Sequence, residues 1–263
     1  MLVDRTTAEE KSLEYEDFED KCLDKIIEGE VIKGHKIILV EFGVGTGRYV
    51  RHFFRKDSPF AKDILLFVGL DFSLEMIGKS FNMLSEVSMK DEIGRKIFLV
   101  RWRAEDFSLC FNRHEELKKA TPIVFCMFNT LGNIGLRNRR IKVVANMKKI
   151  MGPNGIGIIS IFNREEFVPL AFRYYGTKQM SPIMPEKKKK ITFDINKGDI
   201  ITGDPARPDF YSHWFSEKEL DNVLKQVKGL KKIPGLTTIG NQRDIVREDP
   251  RGERGIIYTF TWE

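Results

Sequence analysis

Short apolar runs, separated by charged or glycine-containing segments, recur along the first 162 residues of the chain. Five of these runs have the length and composition of buried strands, and they cover residues 37–40, 64–70, 96–102, 122–128 and 156–162. Segments near 46–56, 74–90 and 137–151 lie between the runs and read as helices from their apolar spacing. This alternation predicts an α/β domain of parallel strands, with ligands at the carboxyl edge of the sheet.

The chain on either side of this region predicts further elements. Residues 7–33 have the apolar spacing of an amphipathic helix, which we expect to pack before the first strand. Another helix is predicted near 216–228, where Ser216-Glu217-Lys218-Glu219 has the pattern of a capping box. Residues 230–239 and 256–262 predict two more strands, and the second of them alternates as a sheet-edge strand does.

Residues 163–215 break the regular alternation, because they are rich in aromatic residues, proline and lysine. Within this segment, residues 191–195 and 199–202 flank Asn196-Lys197-Gly198 and predict a β-hairpin. We interpret the segment as an insertion over the functional site. We expect substrate determinants among its side chains, which supply donors, acceptors and ring faces: Arg173, Tyr174, Tyr175, Tyr211, His213 and Trp214.

Composition bounds the class of protein. A chain of 263 residues accommodates one well-buried α/β domain with an appendage. It has no long apolar stretch and no secretory signal pattern, which predicts a soluble cytoplasmic protein with no membrane partner. Its three cysteines are widely separated and its four histidines lack metal-ligand spacing, so neither a disulfide framework nor a metal site is expected.

The formal charge of +6 favours acidic partners only weakly, because 44 basic residues interleave with 38 acidic ones. The one dense basic run is Lys187-Lys188-Lys189-Lys190. It could contact phosphates, in which case binding would be sensitive to salt. A solvated flank of the predicted hairpin is the favoured interpretation, because the run has no aromatic residues interleaved with its lysines.

The most informative motif is Glu41-Phe42-Gly43-Val44-Gly45-Thr46-Gly47, which follows the first apolar run and precedes a helix. Glycines at alternate positions allow a tight turn with positive φ angles and let a ligand approach the main chain. The acidic residue followed by G-x-G-x-G resembles the first motif of the class I S-adenosylmethionine (SAM)-dependent methyltransferases. Dinucleotide sites use G-x-G-x-x-G instead, and a glycine turn without a ligand is the remaining alternative.

The resemblance implies a three-layer Rossmann-like sheet, mostly parallel, with an antiparallel C-terminal hairpin and a β-rich insertion after the fifth strand. It also implies SAM as the cofactor, held at this turn by Glu41, Gly43, Gly45, Thr46 and Gly47. The expected division is a helical segment over the site (1–35), a SAM-binding domain (36–162 with 214–263), and an inserted substrate-binding lid (163–213).

The next two strand ends supply further candidates for cofactor binding. Asp71 ends the second run, where such folds place the carboxylate that binds the ribose hydroxyls, and Phe72 follows it. The alternative role for Asp71 is helix capping, although Ser73 could itself be the cap. After the third run, Ala104, Glu105 and Asp106 resemble the adenine-binding loop of the family.

This adenine-binding loop departs from the family pattern at one position. Many relatives place an aspartate immediately before the alanine, and this chain has Arg103 there. Glu105 or Asp106 would then have to accept the adenine amino group. The alternative is that both belong to a solvated acidic turn.

Asn129 and Thr130 follow the fourth run, at the strand end that in the family faces both SAM and the methyl acceptor. An asparagine at this position resembles the pattern in enzymes that methylate nitrogen. Its carbonyl oxygen can accept a hydrogen bond from an amine. Holding a turn is the equally weighted alternative for Asn129. Catalytic candidates are therefore Asn129, Tyr211 and His213, although a structural role is more common for such a histidine.

Two aromatic positions complete the candidate site. Tyr174-Tyr175 could close on a cationic or aromatic acceptor through their ring faces, although packing is the commoner use of such a pair. Tyr15, on the predicted N-terminal helix, is a weaker candidate for a residue that covers the cofactor.

The sequence thus predicts a SAM-dependent methyltransferase acting on a small molecule or a protein side chain, with nitrogen as the favoured acceptor atom. One alternative is an RNA methyltransferase, for tRNA or rRNA, that uses the basic insertion. Another is a noncatalytic SAM-binding partner of a different enzyme. A nicotinamide-dependent oxidoreductase is disfavoured, because residues 48 and 49 are arginine and tyrosine instead of the glycine that its motif needs.

Overall fold

The computed structural model describes residues 5–86, 90–109, 115–164, 191–194, 197–204, 207–233, 238–239 and 255–263. Its helices are α1 (Arg5–Ile32), α2 (Arg48–Phe54), α3 (Leu74–Glu86), α4 (Glu115–Lys119), α5 (Arg137–Met151) and α6 (Glu217–Lys225). Its strands are β1 (Ile37–Phe42), β2 (Ile64–Asp71), β3 (Ile97–Arg101), β4 (Thr121–Cys126), β5 (Ile156–Phe162), β6 (Ile191–Asp194), β7 (Asp199–Asp204), β8 (Arg207–His213), β9 (Leu230–Lys232), β10 (Thr238–Ile239) and β11 (Gly255–Trp262). Short 3₁₀ helices cover Lys90–Glu92 and Ala104–Asp106.

The main sheet has the strand order β10-β11-β5-β4-β1-β2-β3, and β9 also pairs with β11. The strands β1 to β5 are parallel to their neighbours within this set, whereas β11 runs antiparallel to β5. This arrangement confirms the predicted mostly parallel sheet with antiparallel C-terminal strands. The prediction of a single strand over 230–239 is wrong, because the structure has two short strands there, β9 and β10.

Helices cover both faces of the sheet, which gives three layers. Ile37 and Leu39 of β1 pack with side chains of α1, α2 and α3. Ile38 and Val40, which alternate with them, pack on the other face with side chains of α4, α5 and α6. Because both faces are buried, β1 and β4 are mostly apolar and lack polar alternation, as in other covered parallel strands.

A second sheet of three antiparallel strands, β6-β7-β8, lies between β5 and α6 in the sequence. The predicted hairpin is confirmed, because Asp194 of β6 pairs with Asp199 of β7. The third strand, β8, was missed by the sequence analysis. Its sequence, Arg-Pro-Asp-Phe-Tyr-Ser-His, contains a proline and charges and lacks a clear apolar alternation, so its strand character comes from pairing with β7.

Two helix starts follow the sequence closely. The Ser216 hydroxyl accepts a hydrogen bond from the Glu219 amide, which confirms the predicted cap of α6. The Ser73 hydroxyl accepts one from the Met76 amide at 3.3 Å, so Ser73 caps α3. No helix in the described part of the chain combines the length and apolar character needed to span a membrane.

Candidate functional site

The glycine-rich turn connects β1 to α2 at the carboxyl edge of the main sheet. Gly43, Gly45 and Gly47 all have positive φ angles, at 83°, 54° and 86°. The Gly43 and Val44 amides donate hydrogen bonds to the Leu70 carbonyl at 2.7 and 2.9 Å, and this fastens the turn to the end of β2. The left-handed backbone explains why side chains are disfavoured at all three positions.

The three glycines differ in what a side chain would meet. A Cβ atom at Gly43 would overlap the Thr130 side chain, and one at Gly47 would lie 2.8 Å from the Ser80 hydroxyl. At Gly45 the nearest heavy atom is the Gly43 carbonyl oxygen, at 4.0 Å. Contacts within the protein therefore account for Gly43 and Gly47, whereas the position that a Gly45 side chain would occupy is open space.

Asp71, at the end of β2, lies against the same turn. Its Oδ2 accepts a hydrogen bond from the Gly45 amide at 3.1 Å, and its Oδ1 accepts one from the Ser73 amide at 2.9 Å. Because each carboxylate oxygen can accept two hydrogen bonds, both keep a capacity for further donors. Phe72, the next residue, is 71% exposed.

Glu41 is buried at the end of β1. Burial raises the pKa of its carboxyl well above the ordinary value, and nearby Arg48 opposes this only partly. Its Oε2 atom has no hydrogen-bond partner among the described residues. A buried polar atom without a partner is costly, so this atom favours a ligand that brings a donor to the turn.

Glu19 of α1 is a fully buried carboxylate that the sequence analysis did not identify. Its Oε2 accepts hydrogen bonds from the Arg48 guanidinium at 2.5 Å and the Tyr49 hydroxyl at 3.1 Å. Its Oε1 accepts hydrogen bonds from the Phe128 amide at 2.8 Å and from the Ser160 hydroxyl. Glu19 therefore joins α1 to α2, to the segment after β4, and to β5.

A signal for this role is present in the sequence. Glu19 precedes the buried Leu23, Ile26 and Ile27 by four, seven and eight positions, so it lies on the apolar face of an amphipathic helix. A carboxylate on such a face needs partners, because burying an unpaired charge is unfavourable.

The segment after β4 has an unusual backbone at the position predicted to face the acceptor. Phe128 and Asn129 are non-glycine residues with φ angles of 49° and 58°. Consecutive left-handed residues are strained and are retained where surrounding contacts enforce them. Here the contacts include the Phe128 amide on Glu19 and the Asn129 amide on the Ser160 carbonyl at 3.0 Å.

The Asn129 side chain is buried, and both its amide nitrogen and its carbonyl oxygen form hydrogen bonds. Its Nδ2 donates to the Ser212 hydroxyl at 3.0 Å, and its Oδ1 accepts from the Phe162 amide at 3.2 Å. These bonds tie the segment after β4 to β5 and to β8. They favour the alternative in which Asn129 holds a turn over direct contact with a methyl acceptor.

His213 and Tyr211 belong to a network between β7, β8 and the core helices. The His213 Nδ1 lies 2.6 Å from Asp199 and its Nε2 lies 2.9 Å from Glu219, so both ring nitrogens face carboxylates. The Tyr211 hydroxyl donates to Asp199 and accepts from Arg140, and burial and Asp199 raise the pKa of Tyr211 to about 12. These contacts favour structural roles over general-base catalysis for both residues.

The predicted adenine-binding residues form the 3₁₀ helix after β3. The Glu105 Oε1 lies 3.7 Å from a guanidinium nitrogen of Arg103 and 3.7 Å from one of Arg139. The Ala104 carbonyl accepts a hydrogen bond from the Asn146 side chain of α5 at 3.1 Å, and Asp106 is exposed. Arg103 therefore pairs with the neighbouring carboxylate that was predicted to contact adenine.

Three aromatic side chains lie at the ends of β4 and β5 and just before α6. The ring centroids of Phe128 and Phe162 are 5.4 Å apart, and those of Phe162 and Trp214 are 5.1 Å apart. Thr130, which contacts Gly43, connects this cluster to the glycine turn, while Thr46 is exposed within the turn.

Some predicted site residues fall outside the described residues. They are Arg173, Tyr174, Tyr175, the Lys187–Lys190 run and the side chain of Tyr15. Among the residues that are described, no group of three or more histidine, cysteine, aspartate or glutamate side chains is arranged to hold a metal ion.

The sequence matches no protein-family model and no curated protein. The structure, however, resembles many solved methyltransferases. A SAM-dependent methyltransferase from Clostridium acetobutylicum is 14% identical over 91% of this chain and 89% of its own, with a TM-score of 0.58. The CcbJ methyltransferase from Streptomyces caelestis is 15% identical over 87% and 89%, with a TM-score of 0.55.

A third structure, magnesium protoporphyrin IX methyltransferase from Synechocystis with bound S-adenosylhomocysteine, is 12% identical over 93% of this chain and 84% of its own, with a TM-score of 0.54. The chain has the class I methyltransferase fold. The matches cover almost the whole chain, and this agrees with the order of strands and with the glycine turn after β1. In the methyltransferase fold, the carboxyl edge that carries Gly45 and Asp71 is where a ligand is expected.

Proposed function

We propose that this protein is a SAM-dependent methyltransferase. The observation that carries the proposal is the open space beside Gly45, whose amide is bonded to the Asp71 carboxylate at the next strand end. The unpaired Oε2 of Glu41 supports it, because a cofactor with amino and hydroxyl groups would supply a donor. The residues present therefore fit the cofactor implied by the fold.

When bound, SAM supplies a methyl group already activated by a sulfonium, so the protein's main task is alignment in a dry site. In this proposal the glycine turn lies along the cofactor and Asp71 accepts hydrogen bonds from the ribose. Phe72 and the 3₁₀ helix Ala104–Asp106 flank the adenine. Glu105 is held by Arg103 and Arg139, which leaves the exposed Asp106 as the candidate for the adenine amino group.

The proposed acceptor atom is nitrogen, on a small molecule or a protein side chain, with RNA as the alternative. The aromatic cluster of Phe128, Phe162 and Trp214 supports nitrogen, because ring faces attract an amine in its cationic form. Such an amine must lose a proton before its nitrogen can accept the methyl group. Asn129 would then act indirectly, by holding the backbone of Phe128 and Thr130 in place.

Titration calorimetry with SAM tests the cofactor. We expect Gly45→Val to abolish binding, because its side chain would enter the open space beside the turn. Gly34→Val is the matched control. Gly34 also has a positive φ, at 81°, and no heavy atom lies within 4 Å of the position that its Cβ would occupy. It lies between α1 and β1, outside the glycine-rich turn. Both variants should lose a similar amount of stability, and only Gly45→Val should lose its affinity for SAM.

Absence of SAM binding to the wild-type protein at millimolar ligand would reject the proposal. Equal affinity in the two variants would show that the turn is not the cofactor site. Incubation with labelled SAM and cell extract, separated into small molecules, protein and RNA, then identifies the acceptor class. Tight SAM binding with no label transferred to any fraction would favour a noncatalytic SAM-binding partner.

A further inference from the structure

An arginine-rich surface lies beside the candidate cofactor site, and no role proposed above uses it as a whole. It consists of Arg101, Trp102 and Arg103 at the end of β3, and of Arg137 and Arg139 in the first turn of α5; we call it the arginine–tryptophan surface. All five residues are exposed, and Trp102 is 51% exposed. The two groups are more than 30 positions apart in the sequence, so the fold brings them together.

One carboxylate shows that the two groups are neighbours. The Glu105 Oε1 lies 3.7 Å from guanidinium nitrogens of both Arg103 and Arg139. Arg101 and Arg137 have no carboxylate within 4.0 Å among the described residues; Arg101 donates to the Phe72 carbonyl at 3.4 Å. Two of the four arginines therefore share one carboxylate, and the other two have none within ion-pair distance in the described part of the chain.

This arrangement is unfavourable for the isolated protein. Arginines in the first turn of a helix oppose the helix dipole, and α5 has no acidic residue in that turn. Exposing half of a large aromatic side chain such as Trp102 to water is also unfavourable, because that surface contributes no stabilisation by burial. Such features are common where a partner supplies both negative charge and a surface for stacking.

We propose that the arginine–tryptophan surface binds single-stranded RNA. Guanidinium groups neutralise phosphates, and aromatic side chains stack on bases irrespective of sequence, which is the combination found in single-strand binding grooves. Arg101-Trp102-Arg103 has the aromatic interleaving that the Lys187–Lys190 run lacks. The surface therefore supports RNA, which the sequence analysis and the proposed function name as the alternative to small molecules and proteins.

The surface borders the carboxyl edge of the sheet, because Arg101 pairs with Asp71 across β3 and β2. RNA held there would lie at the same edge of the sheet as the candidate cofactor site. RNA as methyl acceptor rests on the proposed function, whereas RNA binding by the surface does not.

Fluorescence anisotropy with a labelled oligouridylate of about 20 nucleotides, longer than one expected binding site, tests the proposal without SAM. Four phosphate contacts would give a slope of log affinity against log salt of about −3. We expect Arg101→Ala with Arg103→Ala to weaken binding and reduce that slope by about 1.4. Trp102→Ala should weaken binding at least fivefold, the smaller end of the range for losing one stacked base, with the slope unchanged.

Matched controls remove the same number of positive charges, or a tryptophan, at positions outside the surface. Arg55→Ala with Lys56→Ala removes two positive charges from exposed positions after α2. Trp262→Ala removes a tryptophan whose indole N–H donates a hydrogen bond to the Lys148 carbonyl near the C-terminal end of α5. Lys148 lies about 16 Å along the helix from Arg137. Both controls should bind the oligonucleotide like the wild-type protein, and thermal melts establish that every variant is folded.

Loss of affinity in the surface variants alone supports the proposal. No binding at low salt, or equal losses in the control variants, overturns it. Displacement of the oligonucleotide by polyglutamate at equal charge concentration overturns it in favour of an acidic protein partner. SAM binding by the wild-type protein is measured separately, so failure of the RNA surface and failure of the cofactor site are distinguishable.

Discussion

Replacing Glu19 by alanine removes the acceptor shared by four hydrogen-bond donors in the centre of the molecule: the Arg48 guanidinium, the Tyr49 hydroxyl, the Phe128 amide and the Ser160 hydroxyl. Arg48 is only 20% exposed and keeps a second carboxylate, Asp20, at 3.6 Å. That distance is too long for a hydrogen bond, so Asp20 compensates only part of the loss.

The expected cost follows from these contacts. Removing one partner of a buried ion pair costs about 3 to 5 kcal/mol, because the other charge is left poorly solvated. Domains of this kind have about 5 to 15 kcal/mol of stability in total. Glu19→Ala should therefore lose a large fraction of the free energy of unfolding, and Glu19→Gln, which keeps the shape and one acceptor oxygen, should lose less.

Urea denaturation followed by circular dichroism measures this loss, provided that the m-values of the variants agree. Glu28→Ala is the matched control, because Glu28 is exposed on the same helix and should change stability by less than about 0.5 kcal/mol. If Glu19→Ala were within about 1 kcal/mol of the control, the reasoning that this carboxylate is buried and paired would be refuted.

Two further predictions concern groups with altered pKa values. The pKa of Glu41 is raised in the folded protein, so its ionisation lowers the free energy of unfolding. Wild-type stability should therefore decline as pH rises above the ordinary pKa of 4.5, and Glu41→Gln should remove this decline. Urea midpoints that change with pH in parallel in the two proteins would contradict this prediction. Burial raises the pKa of the Cys126 thiol to about 12. In the native protein at mildly alkaline pH, Cys126 should therefore resist alkylation while the partly exposed Cys22 reacts, which peptide mapping would measure. Equal labelling of the two cysteines would indicate an open core.

Local pattern was sufficient for most of the fold. The apolar runs of β1 and β4 and the capping sequence of α6 are each decided by neighbouring residues, so they could be identified from the chain alone. The glycine turn is also local, because its conformation depends on Gly43, Gly45 and Gly47 themselves. The β8 strand was missed because pairing with β7, and not its own composition, makes it extended.

The sequence by itself thus determined the alternating elements, the turn at Gly45 and the strand end at Asp71, because hydrophobic period and glycine conformation act over a few residues. The tertiary structure alone decided which distant polar groups meet. Glu19 reaches Phe128 and Ser160 across 109 and 141 positions, and Arg103 shares Glu105 with Arg139. Such pairs form because burial forces charges to find partners in space, and periodicity carries no information about which partner that is.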